Sequence, residues 1–156
     1  MNYHYGKIML NEAIVAIQLG NKRKGEDLLA ETGEKIKRWN SLQCNLALAY
    51  LLLNEDSKAV EVILAALSQN PAWAENLPAF YLLREEPGMA GLIDESKFDE
   101  KDWTSAVSFL CELNRDAEAA AVCRKALQRF PGSSYLHYLL GKLWLAERKQ
   151  ADAKKE

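Results

Sequence analysis

An excess of either charge is missing from this sequence: 20 Lys and Arg stand against 22 Asp and Glu, for a net charge of -2. The halves are equally even, with 8 basic and 9 acidic residues in 1–78 and 12 and 13 in 79–156. Such a chain has nothing with which to neutralise a phosphate backbone in bulk, so no nucleic acid is expected as a partner. Glycine and proline are also scarce, at 8 and 4 of 156 residues, while 49% of the residues are hydrophobic. That excludes collagenous and disordered chains and leaves an ordinary globular composition. Long apolar runs are absent as well: uncharged stretches such as 40–54 fall short of the roughly 20 residues that span a bilayer. The first ten residues hold a single Lys, and the following apolar run breaks at Asn11 and Glu12. Neither a secretory signal nor membrane insertion is therefore expected. The three cysteines, Cys44, Cys111 and Cys123, form no C-x-x-C and lie in helical apolar patterns, where Cys serves as a small hydrophobe. A reducing cytoplasm follows as the default compartment, a periplasmic piece of a larger protein being the alternative.

Catalytic signatures are lacking too. No G-x-x-x-x-G-K-[ST], G-x-G-x-x-G or G-x-S-x-G occurs, and His4 and His137 lie far apart without a nucleophile motif. The acidic run Asp94, Glu95, Asp99, Glu100 and Asp102 has neither the glycine nor the ligand spacing of a calcium loop and reads as a solvated loop. The expectation is a non-enzyme with no catalytic residues, no cofactor and no metal.

What the chain does have is self-similarity. Leu46-Ala47-x-x-Tyr50, Leu53-Asn54-Glu55-Asp56, Ala59-Val60-x-x-Ile63-x-x-Ala66-Leu67 and Pro71 are matched without a gap by Ala106-Val107-x-x-Leu110, Leu113-Asn114-Arg115-Asp116, Ala119-Ala120-x-x-Cys123-x-x-Ala126-Leu127 and Pro131. Each block is two apolar stripes at i, i+3, i+4, i+7 spacing, parted by a polar turn and closed by a proline: a helix hairpin, made twice. A weaker copy precedes them, with Ala13, Ala16, the turn Gly20-Asn21-Lys22 and Gly25-x3-Leu29. Gly25 to Ala59 is 34 residues, whereas Ala59 to Ala119 is 60, or one period plus 26.

The spacing of Trp103-x2-Ala106-Val107-x2-Leu110, Ala119-x3-Cys123 and Pro131, and of Gln43-x2-Leu46-Ala47-x2-Tyr50, Ala59-x3-Ile63 and Pro71, resembles the tetratricopeptide repeat. His137-x2-Leu140-Gly141-x2-Trp144 resembles the first half of a further copy. The resemblance implies an all-α, right-handed solenoid of helix hairpins forming one domain over 1–156. Its parts are repeats at 6–39, 40–73 and 100–133, an eroded short repeat at 74–99, and a half repeat or capping helix at 134–150. Within the eroded part, a helix is expected from Asn76-Leu77-Pro78 to Arg84, a turn or two over Met89–Ile93, and an N-cap at Asp102.

Solenoids of this class bind partners on the concave side lined by first helices. Carried over by residue, that side holds Lys7, Leu10, Ile14 and Ile17, then Asn45, Leu48 and Leu51, then Lys101, and finally Tyr135, Tyr138 and Lys142. Leu10, Ile14 and Leu48 stand where a carboxylate clamp needs Lys or Asn, which speaks against capture of a chaperone tail. The helix 41–53 is apolar on every side, and 135–145 nearly so, with Leu136, Leu139, Leu140, Leu143 and Trp144 expected inward. Trp73, Trp103 and Trp144 are expected as seam packing. The expected function is a non-catalytic module that holds a protein or peptide partner in an apolar groove. A small secretion chaperone of the same repeat class, or an oligomerisation or scaffold domain forming homo-oligomers, is the alternative.

Overall fold

A computed structural model of the protein describes residues 1–154. They form seven α-helices: α1 (Tyr3–Gln18), α2 (Lys22–Ile36), α3 (Asn40–Leu52), α4 (Asp56–Gln69), α5 (Glu100–Glu112), α6 (Asp116–Arg129) and α7 (Ser134–Ala153). Two 3-10 segments lie between α4 and α5, and no strand occurs among the described residues, so the class is all-α. The chain divides into two compact units, Met1–Asn76 with Glu86–Met89, and Leu77–Glu85 with the residues from Ala90 on. In the first, α1 packs on α2 and on α3, and α3 on α4; in the second, α6 packs on α5 and on α7, and α5 meets α7.

Three hairpins share one turn. After α1, α3 and α5 the chain enters the left-handed region for a single residue, Gly20 (φ 87°), Asn54 (φ 60°) and Asn114 (φ 57°). The N–H groups of these residues donate to Ile17, Leu51 and Cys111 carbonyls at 2.9 to 3.0 Å, and those of the next residues, Asn21, Glu55 and Arg115, reach Ala16, Tyr50 and Leu110 carbonyls at 2.8 to 3.0 Å. Both hydrogen bonds of the Schellman motif are thus present each time, satisfying carbonyls that the helix end leaves free. Glycine enters this region without strain, and asparagine is the side chain that tolerates it best.

Small residues meet behind each turn. A Cβ on Gly25 would stand 2.3 Å from the Ile17 side chain and 3.2 Å from the Ala13 carbonyl, so α2 approaches α1 only because Gly25 has none. Ala47, Ala59, Ala66, Val107, Ala119 and Ala126 are fully buried at the corresponding places. These are the residues expected to let paired helices close to within about 8–10 Å.

The fourth first-helix, α7, ends differently. It begins 34 residues after α5, as α5 begins 60 after α3, so Arg148 falls at the position of Asn54 and Asn114. An arginine gains nothing from the left-handed region, and the helix runs through Arg148 to Ala153, 20 residues in all. No hairpin turn forms there.

Between the hairpins the expected helix is replaced by 3-10 winding. Pro71 and Pro78 lack an N–H, and a residue before proline avoids the α-region; Asn70 is extended (φ -146°, ψ 100°). Pro71–Leu83 winds as 3-10 turns broken at Phe80 (φ -92°, ψ 26°). Over 89–93 no helix forms: Gly88 and Gly91 both take positive φ, and the chain turns. The N-cap of α5 is Asp99 rather than Asp102. Asp99 Oδ1 accepts from the Asp102 N–H at 2.8 Å while Asp102 Oδ2 accepts from the Asp99 N–H at 3.1 Å, so the two carboxylates close a capping box between them.

The shared turn makes a stability prediction. Asn54→Ala and Asn114→Ala should each cost about 1 kcal/mol, whereas Asn54→Gly and Asn114→Gly should be neutral or stabilising. Urea denaturation followed by circular dichroism measures both; equal losses for Ala and Gly would mean that the left-handed conformation is not what these positions select.

Candidate functional site

The expected groove residues separate into two groups. Leu10, Ile14, Ile17, Leu48 and Leu51 are all buried, at no more than 9% exposure, and are corrected here from groove to core. The reason lies in α1 and α3 themselves. α1 faces two neighbours, α2 and α3, and needs a stripe wide enough for both, so Met9, Leu10, Ala13, Ile14, Ala16 and Ile17 all go inside. α3 is apolar all round and buried all round, with Leu42, Gln43, Leu46, Ala47, Leu48, Ala49 and Leu51 enclosed by the chain. Asn45 is half-buried, and Lys7 is exposed at the edge of this unit.

The second group stays accessible. Lys101, Tyr135, Tyr138 and Lys142 are exposed, and they belong to α5 and α7 of the second unit. Ser133 caps α7 by accepting from the Leu136 N–H, at 3.3 Å. Leu136, Leu139, Leu140 and Leu143, one turn apart, fill the inner stripe. On the outer side stand Tyr135, Tyr138, Trp144 and Leu145, at 50%, 57%, 57% and 62% exposure. Trp73 and Trp103 are buried as expected, but Trp144 is not seam packing. Tyr135 and Tyr138 stack at 6.0 Å, and the Lys142 ammonium lies 5.6 Å from the Tyr138 ring. Single exposed apolar residues are ordinary; a contiguous aromatic and aliphatic stripe on one helix is a docking feature.

Two depressions flank this stripe. One, of about 280 Å³, runs between α5 and α7 and is lined by Ser108, Cys111, Tyr135, Leu139 and Lys142 among others. The structure thereby brings Tyr135 and Lys142 together with α5. The other, of about 540 Å³, is open and lies along α7 itself between Tyr138, Gly141, Lys142, Trp144, Leu145 and Arg148. Gly141 forms its floor, and a Cβ placed there would meet nothing within 4 Å. Sequence reasoning passed over Gly141 as a motif match; its signal was a glycine in the interior of an otherwise strong helix.

Groups with chemical potential are turned to other uses. Burial pushes the Cys44 thiol up to about 11, with Glu75 adding to the effect, and also raises Cys111 and Cys123, which keeps all three protonated near neutral pH. The His137 ring lies against the Pro131 carbonyl at 2.8 Å, and His4 packs edge-on to Tyr3 at 5.6 Å. Among the described residues no group of three or more His, Cys, Asp or Glu is placed to hold a metal, and no helix is long and apolar enough to cross a membrane. Comparison of the chain with known families, with curated proteins and with solved structures finds no match.

The acidic run is largely exposed, as expected of a solvated loop, and its carboxylates also cap and tie neighbouring elements. Asp94 caps the 3-10 turn Glu95–Lys97 by accepting from the Ser96 N–H at 3.1 Å and hydroxyl at 2.6 Å. Glu100 accepts from the Ser133 hydroxyl, tying the start of α5 to the start of α7. Glu95 takes two hydrogen bonds from Lys125 of α6, at 2.6 and 2.7 Å, and one from the Tyr81 hydroxyl. Arg129 donates to the Glu95 carbonyl at 2.7 Å. The Lys125 ammonium and then the Tyr81 hydroxyl hold the Glu95 carboxyl below its usual range, and Glu95 in turn holds Lys125 above its own.

A depressed carboxylate contributes stability above its unfolded pKa and loses it as pH falls through the folded value. A raised ammonium contributes below its unfolded pKa and loses it as pH rises through the folded value. The Tm deficit of Glu95→Gln should therefore be widest between about pH 5 and pH 10 and shrink as pH falls below the usual carboxylate range. Thermal scans of both proteins across that range check it; a deficit constant in pH would show that the ion pair contributes nothing.

Proposed function

We propose that this chain is a helical-repeat protein of tetratricopeptide type, acting as a non-catalytic module that binds another protein. Support for the repeat class comes from the 34-residue register and from the turn that recurs at Gly20, Asn54 and Asn114. The observation that carries the binding reading is the outer face of α7, where Tyr135, Tyr138, Trp144 and Leu145 remain open in a chain that otherwise closes over its leucine-rich helices. Lys101 and Lys142 supply rim charge, which steers and orders a partner more than it holds it. Within this reading the partner site moves away from the first unit, since Leu10, Ile14, Leu48 and Leu51 are committed to the core. Three free, protonated cysteines suit a reducing compartment, and we take the cytoplasm as the place of action.

A second reading, self-association, is favoured by α1. Tyr5, Ile8, Val15 and Leu19, three, seven and four residues apart with Glu12 between Ile8 and Val15, share one face and are exposed, Leu19 at 81%. Light scattering on the wild type and on Ile8→Lys/Val15→Lys should then show a dimer that the variant lacks. A wild type that remains monomeric at high concentration removes this reading.

The principal proposal is tested by panning a displayed library of random peptides against the immobilised protein and against Tyr138→Asp/Leu145→Asp. Both side chains are exposed, so the variant should keep wild-type helicity. Selected peptides should bind the variant at least about tenfold more weakly, since truncating an aromatic anchor typically costs that much. Failure to recover any binder, or binders indifferent to the variant, overturns the reading.

A further inference from the structure

We infer that α7 is the first half of a hairpin whose second helix comes from a partner protein, and that this helix is amphipathic, presents small residues toward Gly141 and carries carboxylates along its flanks. The inference rests on the protein-binding reading and names the partner's chemistry.

The internal repeat defines the seat. In register, Gly141 corresponds to Ala13, Ala47 and Val107, each fully buried where a second helix lies on the first. Trp144 corresponds to Ala16, Tyr50 and Leu110, and Leu145 to Ile17, Leu51 and Cys111. All of those are buried or half-buried, while Trp144 and Leu145 are the exposed pair of α7. Among the described residues Gly141 thus lacks the covering helix that its counterpart Ala13 has, Leu145's counterpart Cys111 lines the depression between α5 and α7, and the helix runs on through Arg148 where the other hairpins turn.

Gly141 points the same way. A glycine inside a helix lowers its stability, and elsewhere the chain has a packing reason: Gly25 admits α2, and a Cβ on Gly6 would stand 2.8 Å from Ile36. Around Gly141 no such neighbour exists, and the bare backbone lies at the bottom of a depression walled by Tyr138, Trp144 and Leu145. A gap of this form accepts a second helix at the close approach that small residues allow.

Charge selects the occupant. The depression is lined by two cations, Lys142 and Arg148, and by no carboxylate. A second copy crossing antiparallel at Gly141 would set Lys142 beside its own counterpart, which is repulsive. An acidic-flanked helix is complementary. The chain contains a template for it in α4, whose inward residues are Ala59, Ile63 and Ala66 and whose ends and outer face carry Asp56, Lys58 and Glu61.

The test uses a helix-stapled peptide of residues 55–70, measured by anisotropy against the full chain at low salt. Three further reagents accompany it: the same peptide with Ala59 and Ala66 replaced by Leu, the peptide with Glu55, Asp56 and Glu61 replaced by Lys, and the protein variant Gly141→Leu. Because nothing occupies the space above Gly141, that variant should fold and melt at a higher temperature than wild type. Saturable binding of the parent peptide is expected, with losses of about tenfold or more for each of the three changes. Undiminished binding by Gly141→Leu or by the Leu-substituted peptide overturns the inference, as does a wild-type dimer that Gly141→Leu dissolves. Should library peptides bind the α7 face while the stapled helix does not, this inference falls and the protein-binding reading survives; should neither bind, both fall.

Discussion

The turn that closes each of the three hairpins places one residue in the left-handed region, and much of this architecture follows from where the chain can supply it. Gly20, Asn54 and Asn114 do so, and behind each of them a second helix folds back onto the first. Forcing an ordinary L-residue there costs roughly 1–2 kcal/mol, a sizeable share of the 5–15 kcal/mol that holds a domain together. At Arg148 the requirement is not met, and the helix continues for another turn and a half instead of reversing. A local backbone preference thus decides whether a first helix is covered.

That decision sets which apolar surfaces remain. α3 has more apolar surface than one seam can take, yet α1 and α4 bury it from two sides, so its all-round hydrophobicity is a core property. α7 has a similar excess and is packed by α6 and α5, which leaves Tyr138, Trp144 and Leu145 outside. One pattern, apolar residues around the whole helix, therefore carries opposite meanings on the two helices. What separates them is the presence or absence of a covering neighbour.

This explains what could be read from residues alone. The all-α class and the turns that close α3 and α5 were legible because turn chemistry and apolar spacing agree there, and the 60-residue offset between the pairs recurs in the structure without slippage. Legibility failed where one signal had two physical causes. Leu10, Leu48 and Leu51 obey helical spacing equally well as groove or as seam, and only the number of neighbours distinguishes the two. The acidic run 94–102 is largely exposed as expected, but its pairing with Ser133 and Lys125 was not legible because those partners lie some thirty residues further along. Pro71 and Pro78 marked an interruption correctly, but no local rule separates a broken α-helix from a 3-10 path. Tyr138 and Lys142 are exposed, as a groove lining requires, whereas Trp144, expected inward, is exposed too.

Stability alone does not account for the outer face of α7. Burying one leucine-sized side chain is worth roughly 1.5–3 kcal/mol, and Trp144, Tyr138 and Leu145, each a little over half exposed, together leave roughly twice that unrealised. Gly141 adds a loss of about 1 kcal/mol relative to alanine, in a position where alanine meets no obstacle. Elsewhere many local choices are consistent with the fold, with small residues at crossings, Asn or Gly at turns and carboxylates at caps, although α1 also leaves Tyr5, Ile8, Val15 and Leu19 exposed. On α7 two departures, an uncovered aromatic stripe and an unneeded glycine, fall on the same helix. Coincident conflicts of this kind are expected where a sequence is shaped by something other than its own folding, and the proposed binding of another helix would account for both.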